Sequence, residues 1–206
     1  INVQGHKSRD RSIESIENII RENVKQGLSS FFISDDDFAR NKNWEGILDK
    51  FIELREVHKL KISFTIQVDT LCYNLPGFIE KSGRAGVKRA FIGLENINPD
   101  SLLGASKRQN KITDYRAMLL AWKKVGVITC CGYILGFPND TQESILRDIE
   151  IIKRELPVDL LEFFYLTPFP GSEDHKKLHA IGTEMDKDLN MYDANHPVTA
   201  HPKMSK

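Results

Sequence analysis

Residues 132–138, Gly-Tyr-Ile-Leu-Gly-Phe-Pro, and residues 163–172, Phe-Phe-Tyr-Leu-Thr-Pro-Phe-Pro-Gly-Ser, are the two stretches that decide the fold. Each begins as an apolar run typical of a β-strand and ends in a turn of glycine and proline. Glycine lets a flat ligand approach the backbone, and proline stiffens the loop. Either turn alone is an ordinary strand exit. Both recur in register with three further strand ends, which indicates that several strands end at one site.

Strand and helix patterns alternate along the whole chain. The apolar spacing predicts a helix between Ser12 and Gly27 and a short strand at 29–34. The later predicted elements are a helix over 44–54, a strand at 62–68, a short helix over 76–86, a strand at 89–94, a helix at 113–125, a strand at 128–135, a helix capped by Thr141 and a strand at 160–166. Such alternation predicts a parallel sheet with right-handed crossovers.

The predicted fold class is α/β, a partial (β/α)6 TIM-type barrel with five of the strands in this chain. A βα repeat should begin with a strand, yet the chain begins with a loop and a helix, so we expect the first strand to precede Ile1. A doubly wound open sheet is the alternative, but no Gly-x-Gly-x-x-Gly follows any strand. Residues 1–182 are assigned to the barrel. Residues 183–206 show no periodicity and are assigned to an irregular C-terminal extension.

Composition narrows the class of ligand. The 206 residues suit one domain, and the 29 basic and 29 acidic residues cancel, so no overall field attracts nucleic acid or anionic lipid. A small-molecule ligand fits better. No apolar run is long enough for a membrane span, and the first residues lack the apolar core of a signal peptide. The sequence therefore predicts a cytoplasmic protein.

The carboxyl ends of the predicted strands give the candidate site, because in a βα barrel those ends face one cavity. They are residues 35–38, 67–69, 93–96, 132–138 and 166–172. Three ends present carboxylates and two present bare backbone, which suits a ligand with an ammonium group, ribose hydroxyls and a flat base. Glu95 follows an apolar strand directly, and a carboxylate there needs a partner.

Four motifs at these ends resemble the radical S-adenosylmethionine (SAM) superfamily, especially the branch often fused to a cobalamin-binding domain. They are Asp-Asp-x-Phe at 35–38, Gly-x-Glu-x at 93–96, Gly-x-Ile-x-Gly-Phe-Pro at 132–138 and Thr-Pro-x-Pro-Gly-Ser at 167–172. The resemblance implies an enzyme that uses SAM and a [4Fe–4S] cluster to release a 5′-deoxyadenosyl radical. With an upstream cobalamin-binding domain, methyl transfer to an unactivated carbon becomes the leading reaction.

The resemblance also implies roles for acidic and amide side chains. Asp35 and Asp36 would lie near the amino group of the methionine moiety. Glu95 would meet the ribose or the methionine end. Gln67 and Asp69 are weaker candidates for the methionine carboxylate or the substrate. No catalytic residue is assigned.

The same resemblance places the adenine against backbone and apolar side chains. Gly132, Ile134 and Gly136 would let the backbone approach the base, and Leu166 with Thr167 would border it. This agrees with the chemistry of the residues, since a flat base needs an apolar wall relieved by glycine.

One departure concerns the cluster, which the family holds through Cys-x-x-x-Cys-x-x-Cys after the first strand. Cys72, Cys130 and Cys131 lack that spacing, so no metal ligand is assigned, and the cluster ligands are expected outside this chain. A truncated chain, inactive alone, explains the absence of both the strand and the motif. The alternative is a cluster-free degenerate barrel that serves as a binding or scaffold module. A conventional barrel hydrolase or aldolase lacks its lysine or activated nucleophile.

Overall fold

The computed structural model describes residues 10–98 and 112–205; predicted features within residues 1–9 and 99–111 lie outside this part. One sheet of five parallel strands forms in chain order: β1 (Ser30–Phe32), β2 (Ser63–Asp69), β3 (Val87–Glu95), β4 (Ile128–Leu135) and β5 (Leu160–Tyr165). The helices are α1 (Ile13–Lys25), α2 (Trp44–Glu56), α3 (Phe78–Ala85), α4 (Ile112–Lys124), α5 (Gln142–Glu155) and α6 (Glu173–Ala180).

The sheet curls into a half-barrel, which confirms the predicted partial TIM-type fold. Five strands stand where the sequence places them, each shifted by no more than a few residues. The sequence reading missed α6 and the short 3-10 turn Thr70–Asn74 that follows β2. With 8 and 5 residues, both are too short to show apolar periodicity.

Burial alternates along β2 and identifies the two faces of the sheet. Phe64, Ile66 and Val68 are buried, and the ring of Phe64 stacks on Phe51 of α2 with centroids 4.0 Å apart. The residues between them are half-buried and belong to the opposite, concave face. The helices therefore pack on one face of the sheet, which leaves the concave face for a ligand.

Capping side chains set where two helices begin. Ser12 Oγ accepts a hydrogen bond from the Ser15 N–H at 3.1 Å and starts α1. Thr141 and Ser144 form a reciprocal capping box at the start of α5. Caps of this kind stabilise a helix by about 1 kcal/mol each. The capping box also fixes the direction in which the chain leaves the turn after β4.

The C-terminal tail, residues 183–205, packs along β5 and over the turn that follows β4. The Tyr165 N–H donates to the carbonyl of Ala194 at 2.7 Å, and Val198 is buried. His201 Nε2 donates to the Phe137 carbonyl at 2.8 Å, and Lys203 Nζ donates to the Asn139 carbonyl at 3.1 Å. The tail is irregular in backbone but attached at defined points.

β1 is an edge strand of the described sheet and carries an exposed apolar side chain. Within the described residues β1 pairs with β2 alone, and Phe32 is 59% exposed. Unpaired apolar strand edges promote association. We expect the 206-residue chain to self-associate, and Phe32→Lys to shift it toward monomer in size-exclusion chromatography. Leu189→Lys, a matched change at a side chain that is 69% exposed in the tail, should have no effect. Equal shifts in both variants would contradict association through β1.

Candidate functional site

The carboxyl end of β3 places Glu95 in an unusual backbone turn. A bulge interrupts the pairing of β3 with β4 between Gly93 and Glu95, and Glu95 has φ +66°. The Asn96 N–H donates to the Leu94 carbonyl at 2.9 Å, so the turn closes across a single residue. Such positive-φ γ-turns are rare and strained. They are found where a side chain must point in a particular direction.

The Glu95 carboxylate folds back over Gly93. A Cβ placed on Gly93 would come within 3.0 Å of Glu95 Oε1, closer than real Cβ atoms normally approach an oxygen. Gly93 therefore leaves room for this carboxylate on the concave face. The sequence pattern Gly-x-Glu is explained here by side-chain packing as well as by backbone geometry.

The turn after β4 has open space beside it. Gly136 has φ +92°, a conformation that favours glycine. Among the described residues, no atom beyond the adjacent residues lies within 4 Å of where its Cβ would sit. Asp140 Oδ2 accepts from the N–H groups of Gly136 and Phe137, both at 2.9 Å. The predicted adenine wall at Gly136 thus has a rigid backbone and free space beside it.

Sequence reasoning missed Asp140, although it lies in the same turn. Its carboxylate is buried, and the two backbone bonds that it accepts replace those of a regular turn. The signal available was an aspartate directly before the helix cap Thr141.

Gly132 has neighbours that the sequence did not predict. A Cβ on this residue would lie 3.0 Å from the ring of Phe91 and 3.3 Å from that of Phe164. The two rings meet edge to face over the glycine, with centroids 6.3 Å apart. Packing of these rings accounts for Gly132 without a cofactor. Direct contact between Gly132 and adenine stays a prediction, and it requires the rings to move.

Strand register places several predicted residues on the concave face. Asp69, Gly93 and Gly132 stand opposite one another across three strands. Gln67 is level with Phe91 one pleat lower, and Ile134 is level with Phe164 one pleat above Gly132. The structure therefore brings Gln67, Asp69, Glu95, Gly132 and Ile134 to one face of the sheet.

Leu166 and Thr167 extend this edge beyond β5. The Leu166 N–H donates to the Leu135 carbonyl at 2.8 Å, which continues the pairing with β4, and the Leu166 side chain is 39% exposed. Thr167 Oγ1 donates to the Tyr165 carbonyl at 3.0 Å. Both residues border the same edge as Gly136, and contact with a base remains a prediction.

Asp35 and Asp36 differ in their hydrogen bonds and in their exposure. Asp35 accepts from the Asp37 N–H at 3.2 Å and from Asn41 Nδ2 at 2.9 Å, so it stabilises its own loop. Asp36 is exposed at the wall of a cavity of about 720 Å³ between α1 and β1. Of the two, Asp36 is better placed to meet an ammonium group.

Arg40 joins the acidic loop after β1 to the end of β2. Its guanidinium lies 2.8 Å from Asp37 Oδ2 and 2.6 Å from Asp69 Oδ2. Burial raises the pKa of Asp37, and the negative charge of nearby Asp69 raises it further, whereas the positive charge of Arg40 lowers it. The Asp69 carboxylate also accepts from the Leu71 N–H at 2.8 Å. Asp69 thus fixes the loop between β2 and the next turn, and a ligand would have to compete with Arg40.

The cysteines do not fit an iron–sulfur cluster. Cys72 and Cys131 are buried, and burial raises the pKa of each thiol to about 12. Cys130 lies on the concave face with Sγ 3.7 Å from Glu162 Oε1, and burial, followed by Glu162, raises the pKa of its thiol. Metals bind thiolates. In the described residues no three His, Cys, Asp or Glu side chains are grouped to hold a metal ion.

We therefore expect the 206-residue chain to bind no stoichiometric iron after anaerobic reconstitution with iron and sulfide. The measurement is iron per chain together with the electron paramagnetic resonance spectrum of the reduced sample. Cys130→Ser and Cys131→Ser should match the unmodified chain. A reducible [4Fe–4S] signal that either substitution abolishes would show that the ligand assignment is wrong.

Comparison with known proteins identifies the class. The family model for the radical SAM superfamily matches residues 2–152. Bacteriochlorophyllide d C-12(1)-methyltransferase of Chlorobaculum tepidum is 27% identical over 201 residues, which is 94% of this chain and 41% of that protein. An uncharacterized methyltransferase of Pyrococcus horikoshii is 27% identical over 173 residues, or 82% of this chain and 36% of that one. The chain thus spans about two fifths of the length of these relatives.

Solved structures share the fold. The radical SAM methyltransferase TsrM of Kitasatospora setae, solved with cobalamin and a [4Fe–4S] cluster, aligns with a TM-score of 0.66 at 15% identity. The alignment covers 76% of this chain and 29% of TsrM. The curled sheet and the site at its carboxyl edge define a partial TIM-type barrel. The family match goes further: the chain belongs to the radical SAM superfamily.

Within the residues that the structure covers, no helix combines the length and apolar character needed to cross a membrane.

Proposed function

We propose that this chain is the SAM-binding barrel of a cobalamin-dependent radical SAM methyltransferase that acts on a small molecule. The observation that carries the proposal is the shared edge of β3 and β4, where the Glu95 carboxylate ends β3 and the open Gly136 turn follows β4. A carboxylate suits the ribose hydroxyls or the ammonium group of SAM, and bare backbone suits its adenine.

Bound SAM would supply an activated methyl group or a 5′-deoxyadenosyl group, and the residues of this chain would bind and orient it. Glu95 accepts hydrogen bonds from the polar part of the cofactor. Asp140 holds the Gly136 and Phe137 N–H groups in place, so the wall beside the base is preorganised. Phe91 and Phe164 give the concave face an aromatic surface beneath the cofactor that excludes water.

The relatives support the two finer parts of the proposal, methyl transfer and the use of cobalamin. The two relatives described above are named as methyltransferases, and TsrM was solved with cobalamin bound. The relatives are more than twice the length of this chain, which leaves room for an upstream cobalamin-binding domain. Because the described residues do not fit a cluster, the proposal takes its cysteine ligands from elsewhere in the full protein.

The test is anaerobic iron–sulfur reconstitution of the full-length protein, with and without cobalamin, followed by incubation with SAM and reductant. We expect S-adenosylhomocysteine or 5′-deoxyadenosine to form, and the yield to depend on the cluster. Cluster binding and SAM cleavage without any response to cobalamin would retain the radical SAM enzyme and remove the cobalamin-dependent step. A full-length protein that binds neither the cluster nor SAM would refute the proposal and favour the scaffold alternative.

A further inference from the structure

The strained turn at Glu95 is surrounded by buried polar side chains. A side chain other than glycine at φ +66° is disfavoured, and such strain persists only where the surroundings hold it in place. The residues on either side of Glu95 are Leu94 and Asn96, which are 0% and 1% exposed. The contacts of these two neighbours therefore decide the conformation of Glu95.

Asn96 ties the turn to β4. Its Oδ1 accepts from the Asn98 N–H at 2.6 Å and from the Tyr133 hydroxyl at 3.2 Å. Its Nδ2 donates to the Ile134 carbonyl at 3.3 Å. These partners assign the two ends of the amide, because Nδ2 faces an acceptor and Oδ1 faces donors. Asn96 is thus anchored on both sides.

Tyr133 connects Asn96 to helix α5. It points away from the concave face, is fully buried, and has its hydroxyl 3.3 Å from Asp148 Oδ2. One hydroxyl carries one proton and cannot donate to both neighbours. Burial raises the pKa of Asp148, opposed by Arg147 at 3.9 Å. The Tyr133 hydroxyl thus lies between two acceptors, Asn96 Oδ1 and Asp148 Oδ2, and links the turn to α5.

Helix α4 contributes a further buried hydroxyl. Tyr115 is 1% exposed, and its hydroxyl lies 3.4 Å from the carbonyls of both Leu94 and Asn96. The turn is therefore held from β4, α4 and α5 at once. Buried polar groups that satisfy one another in this way specify a single conformation.

We infer that Asn96, Tyr133 and Asp148 are positioning residues that hold the Glu95 carboxylate over Gly93, where it meets SAM. We call these three the Asn96 network. The inference rests on the proposed function for the identity of the ligand. Residues on the helix-covered side of the sheet then set the affinity for SAM without contacting SAM.

A double-mutant cycle in the full-length protein tests the link to Glu95, with SAM binding measured by equilibrium dialysis. Tyr133→Phe should weaken SAM binding about tenfold, the effect expected when one hydrogen bond that holds the turn at Glu95 is lost. In a Glu95→Ala background the same change should alter affinity by less than about twofold, because Tyr133 acts through Glu95. Additive losses, or no loss from Tyr133→Phe, would overturn the inference.

One variant controls for general damage. Tyr192→Phe removes another largely buried hydroxyl, which donates to the Asp186 carbonyl at 2.8 Å in the tail, and should leave SAM affinity unchanged. A loss of SAM affinity from Tyr192→Phe as large as that from Tyr133→Phe would overturn the proposed network.

Hydrogen exchange without SAM separates this inference from the proposed function. The backbone N–H of Asn96 closes the strained turn. Tyr133→Phe should therefore speed hydrogen exchange at that N–H by about tenfold or more, and Tyr192→Phe should not. Unchanged exchange would overturn the positioning role whatever binds at the site. A protein that fails to bind SAM but shows the exchange effect would instead refute the proposed ligand and leave the structural role of the network established.

Discussion

Gly136→Val should abolish SAM binding in the full-length protein. The substitution places a branched side chain in the open space beside the turn. Valine must then adopt the backbone angle φ +92°, which a branched residue strongly disfavours. Backbone strain of this kind is about 1–3 kcal/mol, and bulk at the adenine wall adds to it. We expect affinity to fall by about two orders of magnitude or more, which corresponds to about 3 kcal/mol. Equilibrium dialysis with labelled SAM measures it.

Gly27→Val provides the matched control. Gly27 has φ +88°, and the space where its Cβ would sit is equally empty, but it lies just beyond α1, away from the candidate site. It should lower the melting temperature about as much as Gly136→Val and leave SAM affinity unchanged. If the folded Gly136→Val variant binds SAM as tightly as the unmodified protein, the adenine wall is not at Gly136.

Glu95→Ala should weaken SAM binding by about one to two orders of magnitude, since hydrogen bonds to a charged group are worth about 1.5–3 kcal/mol. The substitution keeps a Cβ, so it removes the carboxylate without relieving the positive φ. Glu95→Gln separates charge from shape and should give an intermediate affinity. Isothermal titration calorimetry of the reconstituted protein provides the values.

Asp188→Ala is the control for Glu95→Ala. Asp188 caps the short turn Leu189–Met191 in the tail, where its carboxylate accepts from the Asn190 N–H at 2.9 Å. It should be silent toward SAM. Should Asp188→Ala weaken binding while Glu95→Ala does not, the site lies at the other end of the chain, and the residue roles implied by family resemblance are wrong.

The sequence predicted the sheet because strand identity depends on local pattern. The alternation along β2 and the apolar run of β4 are each readable within about eight residues. Gly136 was found for the same reason, since a glycine that ends a strand signals a special turn by itself. The order and parallel pairing of the strands followed from the alternation with helices and short loops.

Much of the site could not be read from the sequence, because it depends on which residues face each other across strands. Tyr133 meets Asn96 across 37 positions, and Arg40 meets Asp69 across 29. Nothing local to either residue names its partner. The neighbours of Gly132 were not readable for the same reason: the rings beside it come from β3 and β5. A tyrosine inside an apolar strand did signal that its hydroxyl required a partner.

The attachment of the tail has a practical consequence for where this domain can be cut. His201 Nε2 donates to the Phe137 carbonyl, and its Nδ1 accepts from the Lys203 N–H at 3.1 Å, so the imidazole clamps the turn from outside. Asp140 holds the N–H of the same Phe137 from within. An expression boundary placed at the end of α6 would remove His201 and its contact with Phe137, and would leave only the contact from Asp140. Residues 183–205 therefore belong with the barrel as one unit for cloning, fusion and domain exchange.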